Sequence, residues 1–186
     1  MALLPDYFLI TDFSLRNATN KIVTDSVGLQ RSSRKRPGQR WAFTIDVLVK
    51  PEDAKKAWAF LSSIDAGVQP CTVNIPGWTD GPGSVLGIIN SAAIGADEIR
   101  VSNNTSISVG DLFKLSNHDK IYQCTSKSGS NDIGIYPQLQ AAITTSTTAD
   151  FSSSPFLVYL DNPVPEMQES SRRLPSILTL QFVEAT

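Results

Sequence analysis

His118 is the single histidine of the chain and stands in an Asn-His-Asp turn, 117–119. A zinc site needs several His or Cys ligands, and a nucleophilic triad needs a histidine beside its Ser or Cys. With no second histidine and no CxxC pair, His118 reads as a surface turn residue. Cys71 and Cys124 each lie inside an apolar, strand-like run, which favours buried free thiols over a disulfide. Asp12, Asp25, Asp46, Glu52 and Asp53 are scattered, whereas glycoside hydrolysis needs two carboxylates held at a fixed separation. They read as solvated loop acids and helix-start acids. Asp80-Gly81-Pro82-Gly83 is glycine-rich but is not followed by Lys-Ser/Thr, so it reads as a domain hinge and not as a phosphate loop. No catalytic, cofactor-binding or metal-ligating residue is assigned. The chain reads as a non-enzyme with no cofactor.

The one concentrated chemical feature is basic. QRSSRKRPGQR holds Arg31, Arg34, Lys35, Arg36 and Arg40, five of the 16 basic residues, with a Pro37-Gly38 turn signal inside it. This segment is expected to be a long polar hairpin loop or arm between two strands. The preferred role is an electrostatic arm that docks on an acidic neighbour. A solvated loop and a nucleic-acid patch are the alternatives.

The elements that must carry this arm are legible around it. In WAFTIDVLV, Trp41, Phe43, Ile45, Val47 and Val49 fall on one face and Ala42, Thr44, Asp46 and Leu48 on the other, the period of a half-buried strand. Pro51 suits the first turn of a helix, where its missing N–H costs nothing. Glu52 and Asp53 favour the positive end of the helix dipole. Ala54, Ala57, Trp58, Leu61 and Ile64 make one apolar stripe, so Trp58, like Trp41, is expected in the core. Pro70–Trp78 returns to strand character.

From Val85 the chain reads as short strands at roughly ten-residue spacing, the sign of a small β-sandwich or barrel. TTSTTADFSSS, 144–154, reads as a polar surface loop. Asp161–Pro175, with its prolines, reads as an extended or mobile connector. Ser176–Ala185 is a closing strand, with Leu178, Leu180 and Phe182 on one face. A closing strand after a compositionally different middle suggests an insertion. Residues 1–79 and 161–186 would form one domain and 80–160 an inserted all-β module.

Composition narrows the function classes. A chain of 186 residues with 41% hydrophobic and 18% charged residues can bury a good core and is not disordered. A net charge of −2 argues against a general nucleic-acid binder. The N-terminus lacks a basic region and a cleavage site, and no run approaches the ~20 apolar residues that span a bilayer. Synthesis in a reducing cytoplasm, with no membrane partner, is the expectation.

The layout resembles the distal tail protein family of long-tailed bacteriophages and, more broadly, tail-tube-like baseplate hub proteins. The basic Pro-Gly hairpin leading into WAFTIDVLV and PEDAKKAWAFLSSI is similar to the strand–long loop–strand–helix order of the tube fold. VGDLFKLSNHDKIYQCTSKSGSNDIGIYPQLQ resembles a recurrent phage-tail β-module, matched at Gly110, Asp111, Lys120, Tyr122, Tyr136, Pro137 and Leu139. LTLQFVEA resembles the closing strand of these proteins.

The resemblance implies a mainly β fold: a tail-tube-like β-sandwich with one flanking helix and an inserted β-barrel or sandwich. It implies a virion structural protein of the tail tip or baseplate, made in the host cytoplasm. Such proteins form a ring, here expected to be a hexamer, around a lumen through which genomic DNA passes without specific binding. Its partners would be itself, the tail tube protein, and hub or fibre proteins. The competing reading is a host-surface carbohydrate-binding β-module that uses Tyr122, Tyr136 or Tyr159.

Overall fold

The computed structural model describes residues 2–18, 21–25, 31–35, 38–64, 68–164 and 175–185. The chain is mainly β and divides into two compact units, Met1–Thr72 with Leu157–Ala185, and Val73–Phe156. In chain order the first unit and its borders carry β1 (Ala2–Leu3), β2 (Phe8–Ala18), β3 (Lys21–Asp25), β4 (Arg31–Lys35), β5 (Arg40–Val49), helix α1 (Ala54–Ile64) and β6 (Cys71–Val73). The second unit carries β7 (Val85–Gly87), β8 (Glu98–Arg100), β9 (Leu112–Leu115), β10 (Ile121–Ser128), β11 (Asp132–Tyr136) and β12 (Thr148–Asp150). β13 (Phe156–Leu160) and β14 (Ser176–Glu184) return to the first sheet.

The first sheet has the order β1-β6-β13-β14-β5-β2. Strand alternation decides its faces. Trp41, Phe43, Ile45, Val47 and Val49 of β5 are buried, as are Leu178, Leu180 and Phe182 of β14. The register aligns them into rows: Leu15, Phe43 and Phe182 stand across three strands, as do Phe13, Ile45 and Leu180. Ring centroids lie 5.8 Å apart for Phe13–Phe43 and 5.4 Å for Phe43–Phe182, distances at which tilted aromatic pairs attract.

Pro51–Asp53 makes a 3-10 turn that opens α1. Lys56 Nζ bonds Asp53 Oδ1 at 2.8 Å, which raises the lysine's pKa. Ala57, Leu61 and Ile64 are buried, and Phe60 meets Phe8 at 5.7 Å. Trp58, expected in the core, is 45% exposed. The buried spacing i, i+4, i+7 sets the helix rotation, and position 58 is turned about 100° away from Ala57. No described helix is long and apolar enough to cross a membrane.

The second sheet has the order β7-β12-β9-β10-β11-β8. It is an open sheet, not a closed barrel. Its end strands β7 and β8 do not pair with each other; just beyond them the chain makes one isolated antiparallel bridge, Ile88↔Val101, with Ile89 N–H to Arg100 O at 2.8 Å and Ser102 N–H to Gly87 O at 2.9 Å. Phe113, Tyr122, Cys124, Ile133 and Phe151 share one buried cluster, and Phe113 stacks on Phe151 at 4.6 Å.

Thr148–Asp150 corrects the loop expected over 144–154. It is a strand paired on both sides, to β7 and to β9. Only Ala149 and Phe151 point its apolar side into the core. The Ser/Thr-rich surroundings conceal so short an alternation.

Two glycines fix close backbone approaches. A Cβ on Gly81 would lie 1.8 Å from Phe151 O, and one on Gly134 would lie 2.2 Å from Ser126 Oγ, beside the bulge between Cys124 and Ser126.

Candidate interaction site

The basic segment forms part of a two-stranded ribbon. β2 and β5 pair as far as Ala18↔Arg40. β3 and β4 then form a sheet of their own, from Lys21↔Lys35 to Asp25↔Arg31. Of the proposed contact residues, Arg31, Arg34 and Lys35 lie in β4, opposite Asp25, Ile22 and Lys21. Arg40 opens β5 and is exposed. Arg36 lies outside the described residues, as do the tip, 26–30, and the connector from 165 to 174. The loop expected over this segment therefore includes a strand. The physical reason is pairing partners: an antiparallel neighbour satisfies the backbone of a polar strand that has no apolar pattern to announce it.

The motif residues of the second unit are framework. Gly110 has φ 105°, a conformation open to glycine at little cost. It tucks the turn against β10 through Gly110 N–H to Cys124 O at 2.8 Å and Cys124 N–H to Asp111 O at 2.9 Å. Asp111 Oδ2 accepts the Ser108 N–H at 2.7 Å. Lys120, Tyr122, Pro137 and Leu139 are buried, and the Tyr136-Pro137 bond is cis. Tyr122 is fully buried, which removes it from any glycan platform. Tyr136 and Tyr159 are half-buried.

His118 is half-buried as well, a correction to the surface reading. Its Nε2 is 2.7 Å from Tyr122 Oη and its Nδ1 2.7 Å from Asn117 Oδ1. Desolvation lowers its pKa. Cys71 and Cys124 are buried and free. Burial pushes the Cys71 thiol up to about 11 and raises that of Cys124, so neither favours the reactive thiolate. Among the described residues no group of three or more His, Cys, Asp or Glu could hold a metal ion.

Sequence reasoning missed Trp78, which is 48% exposed. The Pro76-Gly77 turn signal just before it was the clue, because turns run over the surface more often than strands do.

The fold class is thus mainly β, two six-stranded sheets and the two-stranded ribbon with one α-helix among the described residues. Within the second unit, residues 88–153 match the family model described as distal tail protein pb9, B domain. The match bears out the resemblance to phage distal tail proteins and supports a structural role in a phage tail. No curated protein matches the chain.

Proposed function

We propose that this chain is a virion structural protein of a phage tail tip or baseplate. It assembles into a hexameric ring around the tail lumen and joins the tail tube to hub or fibre proteins. The match of residues 88–153 to a distal tail protein B domain carries the reading. The first sheet supports it. β2, with 11 residues, stands at one open edge and the two-residue β1 at the other.

A long edge strand offers unpaired N–H and C=O groups. Contacts between unlike edges generate rings when the rotation closes. The basic segment with Arg31, Arg34, Lys35, Arg36 and Arg40 is the arm that reaches the next subunit. Genomic DNA passes the lumen without specific binding, in keeping with the net charge of −2.

Light scattering of the purified chain over a concentration series tests this reading. An oligomer of one defined mass, alone or with the tail tube protein, is expected. A monomer under all of these conditions contradicts it.

A further inference from the structure

Trp78, whose indole is exposed, lines a shallow cleft of about 220 Å³ together with Asp80, Asp111, Gly77, Gly81, Gly110 and Leu112. All of these residues belong to the second unit. Both rims are held by hydrogen bonds. On one side Trp78 N–H and Thr79 N–H both donate to Ile75 O at 3.0 Å, and Ile75 N–H donates to Thr79 Oγ1 at 2.9 Å. Thr79 is buried, and Ser154 N–H donates to its carbonyl at 3.0 Å. The Trp78 turn is therefore a fixed platform. On the other side Asp111 is tied to Ser108 and to Cys124 by the bonds given above. A site held open in this way loses little freedom when it binds.

The chemistry of the cleft selects a cation. An indole face attracts an ammonium or guanidinium group, and two carboxylates in the same lining, Asp80 and Asp111, add direct charge pairing. The whole second unit leans the same way, with seven carboxylates against four lysines and arginines between Val73 and Phe156. Two of those four cations already pair within the unit, Arg100 with Asp132 and Lys114 with Asp119. The chain itself holds a complementary element: the β3–β4 ribbon carries Lys21, Arg31, Arg34 and Lys35 against one carboxylate, Asp25, and Arg40 opens β5 just after it.

We propose that the Trp78–Asp80–Asp111 cleft of one copy receives the basic β3–β4 ribbon of a second copy. This inference rests on the ring reading above and names where the arm lands. The contact is heterologous, arm to cleft, and so can propagate around a ring.

Two variants of the full chain test it by sedimentation velocity. One carries Asp80→Asn and Asp111→Asn; the other carries Arg31→Gln, Arg34→Gln, Lys35→Gln and Arg40→Gln. Each alone is expected to self-associate more weakly than wild type, on the order of tenfold. Mixed together they are expected to form pairs that grow no further, because the one intact arm and the one intact cleft engage each other and leave only a neutralised arm and a neutralised cleft. Trp78→Phe should retain part of the association and Trp78→Ala should lose it. Unchanged thermal midpoints show that these variants are folded. Wild-type-like assembly of the cleft variant, or a mixture that fails to pair, overturns the contact and leaves the ring reading standing. A wild type that stays monomeric at every concentration overturns both.

Discussion

His118 Nε2 stands 2.7 Å from the hydroxyl of Tyr122, and that hydroxyl also receives the Gln140 backbone N–H at 3.1 Å. One proton arrangement satisfies all the partners. Tyr122 donates to a neutral Nε2 while Nδ1–H donates to Asn117 Oδ1, and Asn117 Nδ2 in turn donates to Ala142 O at 3.0 Å. Protonating Nε2 reverses the tyrosine bond and places a charge in a desolvated site.

This network predicts an acid-side loss of stability. The folded pKa of His118 lies below its ordinary 6.5 because burial disfavours the cation. Between that lowered value and 6.5 the unfolded chain binds more protons, so stability is full above about 6.5 and falls as pH drops through this window. His118→Gln should flatten that part of a plot of thermal midpoint against pH. An unchanged slope would show that His118 does not carry the effect.

Gly81→Ala should cost about 2 kcal/mol or more, because the clashing atom is the Phe151 backbone carbonyl. Gly134→Ala should cost less, about 1 kcal/mol, since Ser126 Oγ is a side-chain atom that can rotate away. Chemical denaturation of the two variants checks the order.

On α1 the two large apolar residues should behave differently. Leu61→Ala removes a fully buried side chain and should destabilise by about 2–5 kcal/mol. Trp58→Ala touches a side chain that is 45% exposed and should stay within about 1 kcal/mol. A large loss at Trp58 would restore it to the core.

Both thiols should resist a water-soluble disulfide reagent in the folded chain at neutral pH and react once it is denatured. Cys71 should be the slower, with its pKa at about 11. Rapid labelling of either would contradict their burial.

The contrast between legible and hidden elements follows from how strongly pattern marks structure. β5, α1 and β14 each bury one face, and Phe43, Leu61 and Leu180 recur at the period their element demands. β12 is hidden because a three-residue strand holds one apolar residue, Ala149, among threonines and serines. β4 is hidden because it has no apolar face at all. The helical stripe placed Ala57, Leu61 and Ile64 correctly but could not fix rotation finely enough to exclude Trp58. At the site, charge was visible in the run from Arg31 to Arg40. The Trp78 cleft was not, because Asp80 and Asp111 are 31 positions apart in the chain and meet only through the fold.

Electron microscopy of the purified protein, alone and mixed with a tail tube protein, tests the proposed phage-tail ring most directly. Closed six-fold rings with a central opening, stacked on tube ends where tube is present, are the expected result. Particles of monomer size in both preparations, with bare tube ends, would contradict it.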